Sequence, residues 1–166
     1  MATSLSSGYT VKTDWTFTKT DDDDTGTNQN NKTATATMTD GTTSGKSDRI
    51  YSDRLVLAAS AATSLDLAGS LTDFFGSTIT FVNVRAMQFS LTGASSVTIG
   101  GAAATAFEGW VSTGGTVTIE TGGALFIGGS ATTYPVGAGS TDKLKLLNND
   151  SGVSATIDLV IVGTSA

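Results

Sequence analysis

The chain has 166 residues, of which 39% are hydrophobic, and this is long enough for one domain with a sizeable core. Its net charge is −6 and its nine lysines and arginines are scattered, so nucleic acid is not an expected partner, since binding phosphates requires clustered basic residues. Histidine and cysteine are both absent, which removes the commonest general base, the usual metal ligand and any disulfide. We therefore expect a protein that is not an enzyme and that uses no cofactor and no metal.

Composition favours an all-β fold. Threonine, a β-branched residue that favours strands, occurs about thirty times, and 20 glycines supply turns. We predict an antiparallel β-sandwich, jelly-roll-like, preceded by an N-terminal β-hairpin arm. No apolar leader and no run of the roughly 18 apolar residues that a membrane helix needs is present, so we expect neither a signal peptide nor a membrane span.

The first predicted element is a hairpin. Polar and apolar residues alternate in residues 11–19, which places Val11, Trp15 and Phe17 on one face of a strand. A second alternation, of threonine with alanine or methionine, follows in residues 32–39. Because a lone hairpin is marginal in water, we expect this one to dock on a partner or on the main domain.

A polar run separates the two alternations, and we interpret residues 20–31 as a long loop at the hairpin tip. It contains the tetra-aspartate Asp21–Asp24, which nearly fits a calcium loop, but Lys32 stands where that loop needs a bidentate glutamate. No helices flank it. A solvated tip held open by charge repulsion is our interpretation, and loose calcium binding stays an alternative.

The chain divides into an arm with its linker, residues 1–53, and a sandwich domain, residues 54–166. About eight short strands separated by glycine, aspartate and asparagine turns are predicted in the second part. The last strand, residues 155–162, is apolar on nearly both faces towards its end, which predicts a central position. Residues 74–141 carry only three charges, so this span is either mostly buried or has a surface that packs against copies of itself or a partner.

Two aromatic residues flank a carboxylate in the segment Phe107-Glu108-Gly109-Trp110. They suit a small sugar-binding platform, a seal at one end of the sandwich or a subunit interface. We predict that Phe107 and Trp110 are interface residues, and that Trp15 and Phe17 anchor the arm.

Residues 54–166 resemble small virion-associated β-sandwich proteins of tailed bacteriophages. The segments that carry the resemblance are residues 65–76 leading into 79–86, residues 97–103, residues 121–126 and residues 141–163. They are framework motifs and supply no catalytic residues. The first 50 residues do not match the pattern.

The resemblance implies a capsid decoration, or cement, protein. Such a protein would be made in the host bacterial cytoplasm, lie on the capsid exterior as a homotrimer and stabilise the head by binding the major capsid protein. The alternative is a tail, fibre or receptor-binding virion protein that recognises a glycan. A third reading, a carbohydrate-active enzyme, requires two carboxylates that converge in a cleft.

Overall fold

A computed structural model describes residues 4–21 and 24–166 of the chain. These residues form strands and no helix, which confirms the predicted all-β class. The strands are β1 (Ser7–Asp21), β2 (Asp24–Asp40), β3 (Lys46–Ser47), β4 (Arg49–Leu57), β5 (Ala62–Asp66), β6 (Leu71–Thr72), β7 (Thr78–Ile79), β8 (Asn83–Thr92), β9 (Ser96–Gly100), β10 (Thr116–Glu120), β11 (Ala124–Gly128), β12 (Tyr134–Pro135), β13 (Lys143–Asn148) and β14 (Ala155–Thr164).

Two antiparallel sheets pack together in a sandwich-like arrangement. One contains four strands in the order β10-β9-β13-β5. The other has the order β11-β8-β14-β4, with β12 also paired to β8. Both sheets contribute apolar side chains to one buried cluster, including Phe89, Leu91, Val97, Ile99, Leu144, Leu146, Ile157, Leu159 and Ile161. Strands β6 and β7 form a separate small hairpin.

Strand β14 occupies the centre of its sheet, as its sequence predicted, with β8 on one side and β4 on the other. Ile157, Leu159 and Ile161 are at most 2% exposed, and the residues between them are half-buried. The register shifts near the end of the strand at Gly163, where an added Cβ would lie 2.1 Å from the Asn83 carbonyl oxygen. Glycine at this position is therefore needed for the close approach of the two backbones.

The N-terminal hairpin is longer than the sequence predicted. Its register runs without interruption from Ser7 opposite Met38 to Asp21 opposite Asp24. The polar residues 24–31 therefore belong to a strand, and the prediction of a long loop at the tip is wrong. Polar composition was a poor guide because a solvated ribbon accepts polar side chains on both faces. We call β1 and β2 together the arm.

The linker prediction is also wrong for residues 49–53. They belong to β4, which pairs with β14 from Arg49 opposite Gly163 onward, so position 54 lies inside a strand. The polar residues Ser52 and Asp53 suggested a linker, but β4 is an edge strand with an exposed face, where polar side chains are tolerated.

Candidate interaction surface

The arm is an exposed two-stranded ribbon. Its fifteen-residue β1 pairs with β2 along its whole length, which corresponds to about 48 Å at the rise of an antiparallel strand. Residues 10–14 and 29–35 are exposed at every position. Because successive residues of a strand point to opposite faces, both faces of the ribbon are open over this length.

One edge of the ribbon is open as well. In the three-stranded sheet the order is β1-β2-β3, so β1 is an edge strand. Strand β3 covers β2 only at Thr39 and Asp40. An exposed edge offers unpaired backbone N–H and C=O groups, which can accept a further strand from another chain.

The base of the arm packs on the sandwich. Met38 is 1% exposed, and the Tyr9 ring lies 4.4 Å from the Phe126 ring of β11, centroid to centroid. The hydroxyls of Ser7 and Ser47 share a hydrogen bond of 2.6 Å. The arm is therefore fixed to the body at one end and projects from it at the other.

A buried arginine holds the turn that follows the arm. Arg85 of β8 is 4% exposed, and its Nη2 donates to the carbonyl oxygens of Thr42 at 3.3 Å and Thr43 at 3.2 Å. Its Nη1 donates to the carbonyl oxygen of Thr132 at 2.8 Å and to the hydroxyl of Thr133. Its Nε has no hydrogen-bond partner among the described residues. Neutral oxygens from two loops therefore solvate this cation, and in doing so they join those loops to the central sheet.

The predicted interface residues have different positions. Phe107 is 1% exposed and belongs to the core, so it has no surface to offer a partner, and its prediction as an interface residue is wrong. Trp110 is half-buried against that core and its indole nitrogen donates to the Phe107 carbonyl oxygen at 3.1 Å. The Glu108 carboxylate accepts a hydrogen bond from the Gly114 amide at 2.7 Å. This segment closes the end of the sandwich and does not present paired aromatics to a sugar.

Trp15 lies opposite Asn30 and Phe17 opposite Asn28 in the paired strands of the arm. Both occupy odd-numbered positions of β1, as Tyr9 and Val11 do. Their side chains lie outside the part of the chain that the structure describes, and their anchoring role stays a prediction. Asp22 and Asp23 also lie outside it, so calcium binding at the tip stays a prediction too.

A polar concavity of about 480 Å³ lies on the exposed face of β4, β8 and β14. Its two carboxylates are those of Asp53 and Asp158. Arg54 donates to Asp158 from Nε at 2.6 Å and from Nη2 at 3.0 Å, and these bonds lower the pKa of Asp158. A general acid needs a raised pKa, so Asp158 is not suited to that role.

The other carboxylate of the concavity, Asp53, accepts a hydrogen bond from the Tyr51 hydroxyl at 2.9 Å. Burial, together with this hydrogen bond, raises the pKa of Tyr51 to about 12. Both carboxylates therefore act as acceptors for neighbouring groups of the same strand pair, an arrangement typical of a sheet surface.

The turn between β6 and β7 exposes two aromatic side chains, and the sequence did not predict their exposure. Phe74 is 97% exposed and Phe75 is 78% exposed. In the segment Asp73-Phe74-Phe75-Gly76, aspartate at the first position and glycine at the fourth are typical of a type I β-turn. This spacing of aspartate and glycine is the sequence signal from which the turn could have been predicted.

Comparison with known proteins found no match to a protein-family model, to a curated protein or to a solved structure. The resemblance to phage virion proteins therefore stays a prediction. Within the described ranges, no group of three or more acidic, histidine or cysteine side chains is placed to hold a metal ion. The same ranges contain no helix that could cross a membrane.

Proposed function

We propose that this chain is a structural protein of a tailed-phage virion that decorates the head by binding the major capsid protein through its arm. The arm is the observation that carries the proposal. An isolated two-stranded hairpin is marginal in water, and this one is exposed on both faces over residues 10–14 and 29–35. A ribbon of this kind gains stability from a surface on which it lies.

The open β1 edge and the apolar residues at odd-numbered positions of β1 support a protein surface as that partner. Backbone groups along the edge provide hydrogen bonds, and side chains on one face provide selectivity. Val11, 42% exposed, continues the row that Tyr9 begins against the body. The rest of the proposal, a phage head and its major capsid protein, rests on the sequence resemblance. The homotrimer stays a prediction from the sequence.

Two matched substitutions test the role of the arm. Val11→Asp and Thr10→Asp each add one negative charge at adjacent exposed positions that lie on opposite faces of β1. Binding to purified heads that lack the protein is measured by co-sedimentation. We expect Val11→Asp to weaken binding by at least about tenfold, because it places a charge in an apolar contact, and Thr10→Asp to change it by less than about twofold.

Failure of the unmodified chain to bind heads would overturn the proposed function. Saturable binding to host surface polysaccharide instead would favour the receptor-binding alternative. Equal binding by both variants would show that the Val11 face is not the contact.

A further inference from the structure

The aromatic turn, Asp73–Gly76, has a backbone that its own hydrogen bonds hold in place. The Asp73 carboxylate Oδ1 accepts from the amides of Phe75 and Ser77, each at 2.8 Å. The Gly76 amide donates to the Asp73 carbonyl oxygen at 3.0 Å, and Gly76 has a φ of +82°. The two aromatic side chains are thus carried on a preorganised support, and little conformational entropy is lost when such a turn binds.

Among the aromatic side chains whose burial the structure describes, Phe74 and Phe75 are the exposed ones. Their rings pack edge to face, 5.6 Å apart between centroids with an interplanar angle of 85°. Burying a phenylalanine removes about 150–250 Å² from water. Two adjacent aromatics on a rigid turn therefore form a compact apolar anchor of the kind found at the centre of protein interfaces.

The surroundings of this anchor are acidic. A groove of about 470 Å³ runs beside the turn, and its ionisable lining residues are Asp40, Asp48, Arg49 and Asp73. Three aspartates and one arginine give it a formal charge of −2. The Arg49 guanidinium already lies 3.2 Å from Asp48, so its charge is offset within the groove.

The groove also connects the turn with the arm. Asp40 is the last residue of β2, and its carboxylate accepts a hydrogen bond from the Leu5 amide at 3.1 Å. Leu5 and Asp40 line the groove together with Phe74 and Phe75. A partner that lies along the arm would therefore meet the aromatic turn beside the arm's base.

We propose that the aromatic turn is a second docking contact, which inserts Phe74 and Phe75 into an apolar cup edged by lysine and arginine on the protein that the arm binds. This inference rests on the proposed function for the identity of that protein. The negative charge of the groove beside the turn favours a partner with a basic surface. A second copy of this chain, with a net charge of −6, would bring further negative charge to the groove, and an anionic membrane attracts basic segments, not acidic ones.

The first test needs no knowledge of the partner. The full chain and a Phe74→Ser/Phe75→Ser variant are each used to select from a displayed library of short random peptides. The control, Val56→Ser/Val153→Ser, removes two exposed apolar side chains elsewhere, which are 65% and 48% exposed, and leaves the charge unchanged. We expect peptides that combine apolar residues with lysine or arginine, and that bind the Phe74→Ser/Phe75→Ser variant at least about tenfold more weakly.

Selection of no peptide that depends on the turn, or of acidic peptides, would overturn this inference. So would binding to phosphatidylserine vesicles, or self-association in sedimentation velocity, that is lost in the Phe74→Ser/Phe75→Ser variant. Unchanged thermal unfolding of that variant checks that its fold is intact.

Binding to heads then separates this inference from the proposed function. Heads that bind the unmodified chain and the Phe74→Ser/Phe75→Ser variant equally would contradict the second contact and leave the arm contact standing. If neither the unmodified chain nor the variant binds heads, the proposed function is wrong. The peptide selection is then the test of the aromatic turn as a docking contact.

Discussion

At the scale of single residues, buried polar groups of this protein stabilise loops between strands. Asp142 precedes β13 and is 4% exposed, and its Oδ2 accepts a hydrogen bond from the Gly139 amide. That bond is the main cause of the lowered pKa of Asp142. The ionised carboxylate therefore favours the folded state.

The pH dependence of stability follows from that shift. A group whose pKa is lower in the folded state stabilises the fold above its unfolded pKa, about 3.9 for aspartate, and this contribution is lost as pH falls through the folded pKa. We expect Asp142→Asn to lower the free energy of unfolding by roughly 1 kcal/mol at pH 7.

Urea unfolding at pH 7 and at pH 2 measures this effect. The difference in free energy of unfolding between the unmodified protein and the Asp142→Asn variant should be smaller at pH 2. An equal difference at both pH values would contradict an ionic role for Asp142.

At the scale of elements, the junction between the arm and the sandwich depends on Arg85. It brings the turn after β2 and the loop before β12 onto β8 through neutral oxygens of Thr42, Thr43, Thr132 and Thr133. Replacing Arg85 with methionine keeps a long apolar stem and removes every donor. The acceptors then lose their partners in a half-buried site.

We expect Arg85→Met to lower the free energy of unfolding by about 2 kcal/mol and to speed hydrogen exchange of the Gly45 and Lys46 amides. Arg54→Met is the matched control, because Arg54 is exposed and its ion pair with Asp158 is at the surface. Thermal unfolding and exchange measured on both variants give the comparison. Equal effects of the two substitutions would show that Arg85 does not hold the junction.

At the scale of the whole molecule, the sequence predicted the fold class and the central position of β14. Both depend on local alternation: Ile157, Leu159 and Ile161 recur at the period of a strand, and burial of one face makes that pattern easy to read. The extent of the arm was not predictable in this way. Residues 24–31 carry no apolar face, and only pairing with β1 makes them a strand.

Burial of individual side chains also depends on contacts that no local pattern specifies. Phe107 and Phe75 each lie beside an acidic residue or a glycine in the sequence, yet Phe107 is in the core and Phe75 is exposed. Arg85 gave no signal, because its partners at Thr42 and Thr132 are more than forty residues away along the chain. Tertiary packing, not propensity, decides these positions.

We propose that the arm binds a protein surface on the head. Hydrogen exchange of the full chain, free and bound to heads that lack it, tests this most directly. We predict that amides in residues 10–14 and 29–35 exchange rapidly in the free protein and become protected by at least about tenfold on binding, while those of β14 are unchanged. Binding without any new protection in the arm would contradict the account.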